Sequence, residues 1–286
     1  MSLFDGLVTQ ALANVPDLAP LRPVVEKELL HREILRVMSD SGDLNQLTFM
    51  GGTCLRCCYG SPRLSEDIDF TAGPEFDKAM LVSLGKTLVE QLREKYAFSV
   101  LVSPPVREEG NTDTWKVKIQ TRPKRPDLPA QRINIDVCSV RSYQVRPMAL
   151  LNPYGVDLGV TGLIIRAESR EEIFVDKLVA LALRPNRIKQ RDLWDIAWLH
   201  EQAVKPAGEL LFEKALEHGF EPKAFLEKLD RRITMLKDQE LMLREFRAEM
   251  LRFLPAAISS RTVDNPMFWP ALIQLIEDIR AGLKSP

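Results

Sequence analysis

The stretch FMGGTCLRCCYGSPRLSEDIDF, residues 49–70, holds a glycine pair, a threonine, two arginines and the acidic run Ser65-Glu66-Asp67-Ile68-Asp69-Phe70. Side chains alternate between the two faces of a strand, so Asp67 and Asp69 are expected on one face and Ile68 and Phe70 on the other. Two carboxylates that close repel unless a cation lies between them, and oxygen ligands on a rigid strand suit magnesium or manganese. The pair reads as half of a divalent metal site, against the alternative of a wet sheet edge carrying solvated acids. Gly51 and Gly52 follow the short strand LTFM. They let backbone approach a ligand, and a helix beginning there turns unpaired N–H groups toward an anion. Thr53 is expected as N-cap, as a phosphate-contacting hydroxyl, or as both in turn.

Downstream, RINIDV places Ile133, Ile135 and Val137 on an apolar face and Asn134, Asp136 and Cys138 on the other. If this strand neighbours the first, Asp67, Asp69 and Asp136 converge. Three such acids are enough to hold two metals about 3.5 to 4 Å apart for in-line phosphoryl chemistry. Further on, Lys177 in EEIFVDKLVALAL has Ile173, Phe174, Ala180 and Leu181 one helical turn away. A lysine on such a face needs an anionic partner or a functional cavity, unless its stem snorkels at the rim. Arg191-Asp192-Leu193-Trp194-Asp195 puts Asp192 and Asp195 on one side of a helix start, where acids also serve as ordinary first-turn stabilisers and Arg191 can pair with Asp195.

The 286 residues are 45% hydrophobic, which supports one large domain or two modest ones. The formal charge of -1, from 39 basic and 40 acidic residues, gives no global field for a polyanion. Any such partner must use local clusters, Arg122, Lys124, Arg125 and Arg132 in one place and Arg184, Arg187, Lys189 and Arg191 in another, though charge runs also occur as plain solvated loops. The opening MSLFDGLVTQALANV lacks a basic start with an apolar run, and no stretch near 18 apolar residues occurs, so a soluble cytoplasmic protein without a membrane partner is expected. Cys54, Cys57 and Cys58 lack a second pair or a nearby histidine and read as small apolar helix residues rather than zinc ligands. His31, His200 and His218 are the only histidines, and none adjoins a nucleophile motif.

Along the chain, residues 1 to 41 are helical in pattern. A mixed set of strands and helices follows to about 165, with WKVKIQ and RINIDV as a hairpin around the basic, proline-rich TRPKRPDLPAQ. Ser169 and Glu172 form a capping box before the Lys177 helix, and helical periodicity dominates from there on. The expected fold class is α+β, a mixed β-sheet flanked by helices in residues 1–165, then a mainly helical domain in 166–286.

The glycine pair at a helix start, a spacer, and Asp-hydrophobic-Asp-hydrophobic at Asp67–Phe70 resemble the signature of the polymerase-beta-like nucleotidyltransferase superfamily. More narrowly, Gly51-Gly52-Thr53, Leu55-Arg56, Tyr59, Arg63 and Ser65–Phe70 resemble the AbiEii/AbiGii toxin family with its MenT-like members. Lys177 and the Arg191–Asp195 motif follow in the family's order, while residues beyond 205 match nothing specific. The resemblance implies a nucleotidyltransferase fold whose helical domain completes the active site. It implies metal-dependent transfer of a nucleoside monophosphate from a nucleoside triphosphate (NTP) to RNA, in MenT-like members the tRNA 3′ end. Asp67, Asp69 and Asp136 would hold Mg2+ or Mn2+. Gly51, Gly52, Thr53, Arg63, Ser65 and Lys177 would contact the nucleotide, and Asp192 would be a further essential acid, with Asp195 the other candidate. Arg56 is a secondary phosphate contact or a surface group. A small-molecule acceptor, as in aminoglycoside-modifying relatives, or a protein acceptor is the alternative. The resemblance also implies a cognate antitoxin, either AbiEi-like or kinase-like; a phosphate on Ser65 would oppose metal and nucleotide binding at the adjacent aspartates.

Overall fold

The computed structural model describes residues 2–106, 110–125, 127–185, 187–237 and 239–283; Pro126 of the expected hairpin tip and residues 284–286 of the expected second domain lie outside these. The chain forms two compact units, divided between Glu168 and Ser169.

In the first unit the helical N-terminal region is broken at Pro16–Leu21, a 3-10 turn between α1 (Leu3–Asn14) and α2 (Arg22–Asp40). Prolines cause the break: Pro16 and Pro20 lack the N–H groups that a continuous helix would use. Then come β1 (Thr48–Met50), α3 (Gly51–Tyr59), β2 (Ile68–Thr71), α4 (Leu84–Tyr96), β3 (Ser99–Ser103), β4 (Thr112–Gln120), β5 (Gln131–Cys138), β6 (Val145–Ala149) and β7 (Ile164–Glu168). The boundary expected after residue 165 falls inside β7, which belongs to this unit's sheet. Strand order is β3-β4-β5-β2-β1-β7-β6. β4 and β5 are the expected antiparallel hairpin, whereas β5 runs parallel to β2 and β7 parallel to β1. A mixed sheet results, with its central strands β1, β2 and β5 adjacent.

Alternation governs β5: Ile133, Ile135 and Val137 are buried, and Asn134, Asp136 and Cys138 between them are half-buried. β4 repeats the pattern with Trp115, Val117 and Ile119 inside. Phe4, Tyr96 and Phe98 tie α1 to the end of α4, with Phe4 edge-on to both rings at 5.7 and 5.2 Å. Cys54, Cys57 and Cys58 are buried free thiols on α3, and burial pushes the Cys57 thiol up to about 12. They are packing residues, as their spacing suggests.

The second unit is helical: α5 (Arg170–Leu183), α6 (Gln190–Glu201), α7 (Gly208–Glu217), α8 (Pro222–Lys237), α9 (Gln239–Met250), α10 (Ala256–Arg261) and α11 (Phe268–Gly282). α5 is its axis, apolar on most of its circumference and packed on α6, α7 and α8. Ser169 caps α5 by accepting the N–H of Glu172. Among the described residues no helix is long and apolar enough to cross a membrane.

Candidate active site

β1 ends at Met50, whose register partner on β2 is Asp69. The chain then turns at Gly51, which has φ +73, and enters α3. That turn brings backbone against the acid: a Cβ at Gly51 would lie 2.8 Å from Asp69 Oδ2. Glycine is required here twice over, for a left-handed φ and for clearance. The Asp69 carboxylate is thereby set at the N-terminal end of α3, where negative charge is favoured.

β5 supplies the other acid. Its register with β2 pairs Asp69 with Asp136 and Ile68 with Ile135, so Asp69 and Asp136 stand side by side. Asp67 lies one residue before β2, and its Oδ1 accepts the Asn134 N–H at 3.2 Å. All three aspartates are half-buried and meet within a few residues of the middle of β5. Thr114 on β4, opposite Asp136, donates to Asp136 Oδ1 at 2.6 Å.

Among the described residues, no three His, Cys, Asp or Glu side chains are already arranged to hold a metal ion. The donor set nonetheless fits magnesium or manganese: it is all carboxylate oxygen, drawn from two adjacent strands. A carboxylate has two oxygens and about four lone-pair directions, so one hydrogen bond does not bar ligation.

The loop from 61 to 67 is held from behind by α2. Glu28, fully buried, accepts the Ser65 N–H at 2.9 Å through Oε1 and meets Arg56 Nε at 3.0 Å through Oε2. Tyr154 donates its hydroxyl to Glu28, and Arg56 also donates to the Ser61 carbonyl at 2.9 Å. Burial opposes ionising Glu28, but the Arg56 and Arg32 charges prevail and hold its carboxyl below the ordinary range. Lys27 pairs with Glu66 at 3.2 Å. His31 Nε2 lies 2.9 Å from the Glu66 carbonyl, and burial lowers the imidazole to about 4. It is neutral at pH 7 and carries its proton on Nε2, since a carbonyl can only accept.

Several sequence expectations change here. Thr53 is not the N-cap; Met50 holds that position and makes no side-chain cap bond. Thr53 is fully buried, its hydroxyl 2.6 Å from the Ser65 hydroxyl and donating to the Asp67 carbonyl. It braces the acid loop from inside. Arg56 is neither a surface group nor a phosphate contact, because its guanidinium is spent on Glu28 and Ser61. Arg63 is also buried and donates to the Leu64 carbonyl at 3.0 Å. Ser65 is 5% exposed with both N–H and hydroxyl engaged, so a kinase would have to open this loop to reach it.

In the helical unit, Lys177 is buried, with Nζ 2.7 Å from Asp192 Oδ1 and 2.9 Å from Asp195 Oδ2. The snorkelling alternative is removed: the lysine has two anionic partners on α6. Arg184 reaches Asp192 Oδ2 at 3.1 Å. Burial would raise the Asp192 carboxyl, but Lys177, Lys189 and Arg184 outweigh it and hold it well below the usual range. Arg191 pairs with Glu249 at 3.0 Å and lies over the Phe253 ring. Lys214 on α7, which sequence reasoning passed over, is a second buried lysine, 2.8 Å from Glu172 and 2.5 Å from Asp176. Its signal is half that of Lys177: Leu210 and Leu211 lie one turn before it, but Glu217 and His218 lie one turn after.

The model of the AbiEii nucleotidyl transferase toxin family, described as a type IV toxin–antitoxin system, matches residues 33–273. No curated protein matches the sequence. Among solved structures, MenT4, a nucleotidyltransferase toxin from Mycobacterium tuberculosis H37Rv, is similar at 16% identity and a TM-score of 0.59, over 100% of this chain and 91% of that one. JHP933 from Helicobacter pylori aligns at 17% identity and a TM-score of 0.49, over 91% of this chain and 93% of that one. With the family model spanning both the glycine–aspartate turn and the lysine helix, the chain belongs to the AbiEii family of nucleotidyltransferase toxins of type IV toxin–antitoxin systems.

Proposed function

We propose that the protein transfers a nucleoside monophosphate from an NTP to an RNA acceptor, the 3′ end of tRNA, and so acts as the toxin of its pair. The observation that carries this reading is the register of β2 against β5, which sets Asp136 beside Asp69, itself packed against the turn at Gly51. In this reading the backbone N–H groups at the start of α3 hold the NTP phosphates, with Gly51 and Gly52 leaving room for them. Magnesium or manganese held by Asp67, Asp69 and Asp136 would supply the Lewis acid that polarises the reacting phosphate. Asp136 receives the proton of the attacking hydroxyl, and Thr114 fixes the orientation of its carboxylate. Thr53, Ser65 and Glu28 hold the acid loop from within. Lys177 is assigned first as the brace between α5 and α6; the phosphate role implied by family resemblance requires it to exchange Asp192 or Asp195 for a phosphate oxygen.

The exposed Lys124 and Arg125 and the half-buried Arg122 of the hairpin tip, with the exposed Arg187 and the half-buried Lys189 before α6, are the proposed RNA contacts. Arg122 already pairs with Asp5 at 2.6 Å and Glu26 at 2.9 Å, so it is the weakest of these. Burial of Ser65 favours an AbiEi-like antitoxin over one that phosphorylates that residue.

The test incubates the protein with each α-labelled NTP, magnesium, total tRNA and an aminoglycoside, comparing wild type with Asp69→Asn. Label on tRNA from the wild type alone supports the proposal. Label on protein or on an aminoglycoside, with tRNA unlabelled, assigns a different acceptor; no label with any of the four NTPs overturns the reading.

A further inference from the structure

The face of the sheet that carries Asp69 and Asp136 continues away from them across β5, β4 and β3. Thr114 stands opposite Asp136, and Lys116 and Lys118 follow it on the same face of β4, as Asn134 and Arg132 do on β5. Lys116, Lys118 and Arg132 are exposed, whereas Val117 and Ile133 between them are buried on the other face. Beyond Asp136, no residue that these three strands present on this face is acidic; β3 adds only Ser99, Leu101 and Ser103. Among the described residues Lys116, Lys118 and Arg132 have no ion-pair partner. The register even sets Lys118 directly opposite Arg132. Like charges so placed cost a sheet stability, and exposed side chains are not needed for its packing.

The cations of the hairpin tip are differently disposed. Arg122 pairs with Asp5 and Glu26, and Arg125 with Asp127. Arg132, which the sequence groups with that tip, stands on the sheet face instead. With Lys116 and Lys118 it makes a line leading from the acids toward the tip, Lys116 about 7 Å and Lys118 about 13 Å along β4 from Thr114.

Position and charge together select what lies on this line. NTP phosphates at the start of α3 occupy the β1 side of the acids, and in-line displacement then brings the acceptor from the opposite side, across β5 and β4. A row of cations with no acid among them repels a polycationic aminoglycoside and attracts a polyanion. One phosphate group would use a single cation, whereas a chain of phosphates uses cations at successive intervals. The strands present no aromatic side chain on this face for a base to stack on, so the contacts are to backbone rather than to sequence.

Resting on the RNA-acceptor reading above, we propose that Lys116, Lys118 and Arg132 form the track that holds the phosphate backbone of the RNA and guides its 3′ end to Asp136.

The full chain is compared with the triple variant Lys116→Thr, Lys118→Thr, Arg132→Thr. The charge-matched control is Lys78→Gln, Lys86→Gln, Arg93→Gln, whose residues line a groove with Val100 and Val102 on the other side of the sheet. Affinity for fluorescently labelled total tRNA is measured by anisotropy between about 50 and 200 mM salt. The sheet-face triple should bind more weakly and lower the slope of log affinity against log salt by about 2 to 3, one phosphate contact for each cation. In transfer assays its KM for tRNA should rise about tenfold or more, with kcat at saturating tRNA and KM for NTP unchanged. Its melting temperature should hold or rise, since threonine suits a strand and the opposed charges are gone. The control should match wild type throughout. A sheet-face triple with wild-type slope and KM overturns the track while leaving the RNA acceptor in place. A control that weakens binding equally, or a rise in KM for NTP instead of tRNA, also overturns it. A wild type that neither binds nor labels tRNA overturns both.

Discussion

The acids of the sheet and the acids of the helical unit are handled in opposite ways. Asp67 and Asp136 are half-buried, and the Asn134 N–H and the Thr114 hydroxyl donate to them. Asp192 and Asp195 are buried and paired with Lys177, and Asp192 also with Arg184. A half-buried carboxylate can still offer its charge to an incoming cation. One sealed against an ammonium group has already spent it. Sequence spacing shows Asp67 with Asp69 and Asp192 with Asp195 alike as acids that share a face, and the partners that tell the two sets apart come from elsewhere in the chain.

The sharpest way to break this contrast is Lys177→Ala, which leaves two carboxylates facing one another in a buried place. Loss of about 3 to 5 kcal/mol is expected in urea unfolding, and adding Asp192→Asn and Asp195→Asn to the same chain should recover much of it. A stable Lys177→Ala protein that has lost only activity would reverse the assignment and make the lysine a phosphate ligand. Asp136→Asn is the mirror experiment. Transfer should fall about 100- to 1000-fold, with the unfolding midpoint nearly unchanged; equal losses in stability would show that Asp136 is structural. Gly51→Ala forces a side chain into a left-handed backbone and against Asp69. A cost of about 2 kcal/mol is expected, together with reduced transfer, since the Asp69 carboxylate must shift.

Acid should separate the two regions by pH window. His31 has a folded value of about 4 against an ordinary 6.5, so the unfolded chain takes up its proton first. Its contribution is complete above 6.5 and is lost as pH falls toward 4. Thermal melts between pH 7 and 5 should show this decline, and His31→Gln should flatten it. Asp192 has a lowered folded value, so its contribution is present above the ordinary 3.8 and disappears only at more acid pH. The smallest effect belongs to Thr53→Val, which removes the hydroxyl joining Ser65 to the Asp67 carbonyl. About 1 kcal/mol is expected by denaturant unfolding, with Thr53→Ser close to wild type.

Reading Thr53 as a cap follows from its place near a helix start, but the turn occurs two residues earlier, where Gly51 takes the positive φ. Reading Arg56 as a surface group or phosphate contact fails for a related reason. Its partner Glu28 lies on another helix, and nothing in the spacing of either residue announces the pair. Glu28, His31 and Arg32 do stand out in VVEKELLHREILRVM as charged or titratable residues among apolar neighbours. That anomaly equals the one at Lys177 and pointed to the loop clamp had it been weighed the same way. β6 is not legible, since a strand with Arg146 and Pro147 lacks the β-branched run that marks sheet, and β7 offers only Ile164 and Ile165 before Arg166 and Glu168 break the pattern.

From the sequence alone came the alternation of β5, the apolar surround of Lys177, the glycine turn and the order of these motifs, because each depends on neighbours within a few residues whose geometry local backbone periods dictate. Tertiary structure alone decided that β5 lies parallel to β2 with Asp136 beside Asp69, that Glu28 rather than a phosphate takes Arg56, and that β3 is left at an edge. Those are choices of partner between residues far apart in the chain, made by the burial of whole faces, and no local pattern encodes them.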